Sequence, residues 1–172
     1  MGKLPADWKH ALITPIPKSN EPTVVSNYRP ISLLPILSKV LEQHVHSLLL
    51  NHLYNTCPIS ASQYGFLKGR STTGALVSAV DDWHKYLDNG LDICVVFFDL
   101  RKAFDSVPHI ILLEKLMDLN LNPCLYKWIA NYLCQRTQAV GVNGETSITL
   151  PVTSGVPQGS VLHGAPPLSH IL

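Results

Sequence analysis

The sequence predicts an α+β fold, and three patterns carry that reading. Six apolar residues, Ile93–Phe98, follow Gly90 and run into Asp99, the pattern of a short buried strand. Thr73 to Asn89 sets Leu76, Val80, Trp83 and Leu87 on one stripe at helical spacing, with Gly90 at its end. Thr137 to Val152 alternates around Asn143-Gly144, a strong hairpin signal. At 172 residues and 46% hydrophobic, the chain is long enough to bury the core of one domain.

Taken in order, residues 1–36 read as irregular and proline-rich. Leu12–Ile16 reads as a short strand closed by Pro17. Lys18 and Arg29 flank a turn-prone loop, SNEPTVVSN, where the local pattern alone makes them solvated cations. Val40 to Asn55 reads as a scaffold helix with Leu41, Val45, Leu48 and His52 on one face, stopped by Pro58. His52 on that stripe is a core-edge histidine. The glycines of QYGFLKGRST, residues 63–72, do not have the spacing of a phosphate-binding P-loop, so that reading is rejected. Trp83 is expected in the core. Pro108 opens a helix to about Leu119, and Asn122-Pro123 caps and starts another through Cys134.

Charge is laid out unevenly. Residues 1–70 carry seven basic and three acidic side chains, whereas residues 81–118 carry four basic and eight acidic. A basic front suits phosphate and an acidic middle suits cations, although solvated surface would carry the same charges. Cys57, Cys94, Cys124 and Cys134 show neither zinc-site nor secreted-scaffold spacing and fit a reducing compartment. No signal peptide opens the chain and no apolar run approaches the roughly 20 residues of a membrane span. These features predict a soluble intracellular protein with no membrane partner.

Asp99 has two readings from its neighbours. It closes a turn or caps the helix begun at Pro108, or it is a carboxylate held at the end of a rigid strand for a hard metal ion. The surrounding motif bears on the choice. FDLRKAFDSVPH, residues 98–109, resembles the first catalytic block of reverse transcriptases, particularly those of non-LTR (LINE-type, jockey-like) retrotransposons. Three further blocks follow that family's order: ITPIPK with NYRPISLL, then QYGFLKGRST, and TSGVPQGSVL at residues 153–162.

The resemblance implies the fingers and partial palm of a right-hand polymerase, an antiparallel sheet packed by helices. Residues 1–90 would be fingers-like and 91–162 partial palm, with no thumb or endonuclease domain. It implies that Asp99, with the Leu100 backbone carbonyl, binds catalytic magnesium, two ions in the intact family. Phe104 would be the steric gate against the sugar. Lys18 and Arg29 would grip the incoming triphosphate, Gln158 and Gly159 would meet its base and sugar, and Lys68 and Arg70 would touch template phosphate. The implied partners are an RNA template, a DNA primer and dNTPs. The family's Tyr-x-Asp-Asp block is not in these residues, and 163–172 diverges, with Pro166-Pro167 where the family has a helix.

The expected function is therefore a portion of an RNA-directed DNA polymerase, inactive alone because its carboxylate set is incomplete. The alternative is a non-enzymatic nucleic-acid-binding or domesticated retroelement remnant. Three geometric expectations follow. Residues 92–99 should form a central strand with Asp99 at its exposed end. The helices near 73–89 and 109–134 should cover one face. Lys18, Arg29, Phe104 and Gln158 should converge with Asp99 on one cleft.

Overall fold

The strand that organises the sheet is β1, His10–Pro17, in a computed structural model that describes residues 3–18, 23–56, 60–99 and 105–164. It pairs antiparallel with β2, Tyr28–Leu33, and parallel with β3, Thr137–Val142. The far side of β3 is shared by β4, Glu145–Thr146, and β5, Leu150–Pro151, both antiparallel. The class is α+β, but the sheet is mixed rather than wholly antiparallel. Local signals could not show this, because the β1/β3 pair joins segments with four helices between them. Asn143 and Gly144 turn β3 into β4 with φ of 51° and 84°, the left-handed pair that a two-residue type I′ hairpin requires.

β2 lies in a stretch that reads as irregular. Its sequence contains Pro30, which demotes a strand reading unless the strand is at an edge, and β2 is at the edge. Pro30 stands opposite Pro15 of β1. The Ser32 N–H, two residues on, points away from β1 and donates to the Gln158 carbonyl at 2.7 Å. Alternation then makes Pro15 and Pro30 a non-hydrogen-bonded pair, so neither proline removes a bond from the β1/β2 ladder. Pro15 instead lacks the donor that would continue pairing toward β3. The β1/β3 register accordingly stops at Ile13↔Val140, while β1/β2 continues to Pro17↔Tyr28.

Three helices make the main core: α1, Ile36–Thr56; α3, His109–Asp118; and α4, Pro123–Leu133. Val45 and Leu49 of α1 meet Leu112 and Leu116 of α3 and Ile129 and Leu133 of α4. The buried face of α1 is Ser38, Glu42, Val45, Leu49 and Leu53, so Leu48 faces outward, one position off the expected stripe. His52 sits at the core edge as expected, its Nε2 2.7 Å from the Leu119 carbonyl. The α4 start is as the sequence spells it: the Asn122 side chain accepts from the Cys124 N–H at 2.8 Å, with Pro123 in the first turn. Asn122→Ala should cost about 1 kcal/mol, read as a lowered urea midpoint with an unchanged slope.

Arg136, just after α4, is buried at 1% exposure. Its guanidinium lies 4.6 Å from the centre of the Tyr132 ring and donates to the Tyr132 and Trp8 carbonyls. A ring face and two carbonyl dipoles offset part of the cost of taking that cation out of water. The Tyr132 phenol is pushed well above its ordinary range, first by burial and then by the charge of Glu42.

Two further expectations fail. Residues 91–99 are not a strand. They have no ladder partner among the described residues, and Phe97 and Phe98 are 85% and 92% exposed. A doubly buried strand needs a neighbour on each side, and none of the described strands lies beside this one. Nor does α2, Thr72–Asp88, bury the stripe its spacing draws: none of its residues is fully buried, Leu76 and Leu87 are exposed, and Trp83 is only partly covered. Ser71 still caps it, accepting from the Gly74 N–H at 3.0 Å, and Lys85 pairs with Asp81 at 2.6 Å. Local chemistry makes α2 a helix, but local chemistry does not supply something for it to cover.

Candidate nucleotide-binding cleft

Where β3 stops beside β1, a cleft of ≈ 450 Å³ opens, in the size range of small-ligand sites. Lys18 and Arg29 line it from the far end of the β1/β2 ribbon, Gln158 from the loop after β5, and Asp105 from the turn before α3. Ile13, Pro15 and Val140 form the apolar floor. Ribbon geometry brings the two cations together. The Lys18 N–H donates to the Asn27 carbonyl at 2.7 Å, continuing the ladder one step, and the Lys18 Nζ donates to the Ser26 carbonyl at 3.2 Å. Among the described residues no salt bridge ties up Lys18, Arg29 or Asp105.

The loop carrying Gln158 is fastened along its length. The Gly155 N–H donates to the Val107 carbonyl at 2.8 Å, and the Ser154 hydroxyl to the Asp105 carbonyl at 3.1 Å. His109 Nε2 stands 2.8 Å from the Gly155 carbonyl. Val107 and Val156 enter the main core at either side of this seam. Gly159 has φ of +103°, and a Cβ there would come 2.8 Å from the Ser32 backbone oxygen. Glycine is required at 159 by the approach of loop to β2 as well as by its backbone angle.

The other described site candidates are not among the residues that line this cleft. Asp99 is exposed at the end of the unpaired segment 91–99 and is not among the residues lining the cleft. Phe104 and Leu100 fall outside the described residues. The Arg70 guanidinium donates to the carbonyls of Ala61 and Gln63 and lies 5.4 Å from the centre of the Tyr64 ring, so it closes its own loop. Lys68 is exposed nearby. Asp105, the second aspartate of the motif that begins at Phe98, is the carboxylate that lines the cleft. The visible signal for Asp105 was its place six residues after Asp99 in the same motif.

Two cations, an amide and a carboxylate around an apolar floor can take a polyanion together with its counter-ion. Residues 16–171 match the family described as reverse transcriptase (RNA-dependent DNA polymerase). The RNA-directed DNA polymerase from mobile element jockey of Drosophila melanogaster is 38% identical over 163 residues, 94% of this chain and 18% of the relative. The probable RNA-directed DNA polymerases from transposons BS and X-element of the same fly are 36% and 34% identical over 166 and 159 residues, 92% of this chain and 17% of each relative.

This chain therefore belongs to the reverse transcriptase family, and its similarity is to the enzymes of non-LTR retrotransposons. It spans less than a fifth of the length of these relatives.

Proposed function

We propose that this chain is the nucleotide-handling part of an RNA-directed DNA polymerase, corresponding to the fingers and part of the palm of a right hand. The observation that supports the reading is the meeting of Gln158 with Lys18 and Arg29 of the β1/β2 ribbon, remote from it in sequence, around one cleft with a carboxylate. Lys18 and Arg29 bind the triphosphate of a dNTP as a point charge and a planar fork. Gln158 orients base and sugar, and Phe104 excludes a 2′-hydroxyl. Lys68 and Arg70 contact the RNA template, whose 3′-paired DNA primer supplies the attacking hydroxyl.

Asp99 and the Leu100 carbonyl are the proposed magnesium ligands, and Asp105 is the carboxylate that lines the cleft. A magnesium ion in this site would be held partly by substrate phosphates, since magnesium binds through one or two carboxylates plus phosphates and not in an all-protein cage. Magnesium, when bound in a pair, would supply charge neutralisation at the transferring phosphoryl group and activate the primer hydroxyl. With so few carboxylates, the 172-residue chain alone is proposed to bind nucleotide and not to polymerise.

Titration of magnesium-dNTP into the chain tests the reading. Lys18→Ala and Arg29→Ala should each weaken binding by roughly ten- to a hundredfold, since a hydrogen bond to a charged partner contributes about 1.5–3 kcal/mol. The binding should also fall as salt rises. Unchanged affinity in both variants would remove the cleft from consideration. Primer extension on an RNA template, with Asp99→Asn alongside, checks the inactivity: extension above that control contradicts it.

A further inference from the structure

Glu42 touches no part of the cleft, yet it fixes the end of the loop that does. Its side chain is 0% exposed, on the inner face of α1. Oε1 accepts from the Ser38 hydroxyl at 2.9 Å. Oε2 accepts from the Ser160 hydroxyl at 2.8 Å and from the Val161 N–H at 2.9 Å. Ser160 Oγ in turn accepts from the Tyr132 hydroxyl at 2.9 Å and the Leu162 N–H at 3.0 Å. One knot thus joins α1, α4 and the residues directly after Gln158-Gly159. The other side of Gln158 is pinned to β2 through its carbonyl and the Ser32 N–H.

Every group that meets Glu42 in this knot is a donor, and only a carboxylate offers two accepting oxygens and no donor of its own. Leucine would fill the space but strand three buried donors. Glutamine would turn an NH₂ toward one of them. So polar a knot in the core is costly unless every member is satisfied, which makes its geometry all-or-none.

We infer that Glu42 is a positioning residue for Gln158. It holds the loop so that the Gln158 amide faces the base and sugar of a bound nucleotide, without contacting the nucleotide itself. The inference rests on the nucleotide reading of the cleft.

The test uses Glu42→Gln and Ser160→Ala in the 172-residue chain, with two probes: magnesium-dNTP and magnesium tripolyphosphate. Lys18 and Arg29 face phosphate in both probes, whereas Gln158 acts only on the first. Each variant should keep its circular dichroism and its tripolyphosphate affinity and lose about fivefold in dNTP affinity, the scale of one hydrogen bond between neutral groups. Amide exchange should quicken at Ser32 and Val161 while α3 stays protected. If Glu42→Gln unfolds, Ser160→Ala carries the test, since it leaves Glu42 with Ser38 and Val161. Wild-type discrimination retained in a folded variant overturns the inference. So does a parallel fall in both affinities with the melting temperature, which is what a merely structural role gives. A wild-type chain that binds both probes equally instead overturns the cleft reading, and the role of Glu42 at the nucleotide with it.

Discussion

Leu116→Ala is expected to lower stability by about 2–5 kcal/mol, the range for emptying a fully buried leucine site. Leu116 is 0% exposed on α3, inside the cluster where α1, α3 and α4 meet. Its neighbours lie on three separate elements, so no single side-chain rotation closes the space it leaves. The cost combines lost transfer energy with the remaining cavity. Urea unfolding followed by circular dichroism gives the number, and a loss below 1 kcal/mol would mean that the three-helix core is not packed as described. The same substitution at Leu76 or Leu87 on α2, both exposed, should fall within about 0.5 kcal/mol of wild type. The contrast separates the core from the helix outside it.

Gly159→Ala is expected to act on both stability and binding. The new methyl would meet the Ser32 carbonyl oxygen, a backbone atom that cannot turn aside, and the residue would keep an angle that L side chains rarely adopt. Those two effects together should cost about 2 kcal/mol or more. Relief requires the loop to lift from β2, which breaks the 2.7 Å bond between Ser32 and Gln158. Nucleotide affinity should drop further than stability alone explains, because Gln158 moves away from the cleft that Arg29 lines. An alanine variant with wild-type dNTP affinity and melting temperature would show that the close approach is not required.

What the sequence made legible was local. Asn143-Gly144 and Asn122-Pro123 carry their own stereochemistry, and both elements stand where those residues put them. The alternation that would betray β2 is interrupted by Pro30, whose acceptability depends on an edge position that only the assembled sheet defines. Ile93–Phe98 is the converse. Its composition asks for partners on two sides, but a strand is made by its neighbours, and no described strand pairs with it. The Leu76–Leu87 stripe misleads for the same reason. At the candidate site, spacing alone gave Lys18 and Arg29 as loop cations, and the family motif supplied a role. That they and Gln158 line one cleft follows from a long-range ribbon and a parallel pairing that no local window contains. Glu42 is hidden in the sequence because it stands beside the expected stripe of Leu41, Val45, Leu48 and His52, where an acid reads as solvent-facing until its three donors are seen.

The proline pair has a consequence for how this sheet meets other molecules. An edge strand normally offers outward N–H groups on which a foreign strand can assemble. On β2 the outward positions are Tyr28, Pro30 and Ser32. The Tyr28 N–H is turned back to the Val25 carbonyl, Pro30 has none, and the Ser32 N–H is taken by Gln158. The exposed margin thus has no vacant donor in register, and the ribbon that carries Lys18 and Arg29 is poorly suited to strand addition. A foreign strand docking there would find acceptors without donors, so the edge resists the self-association that a bare β-edge invites.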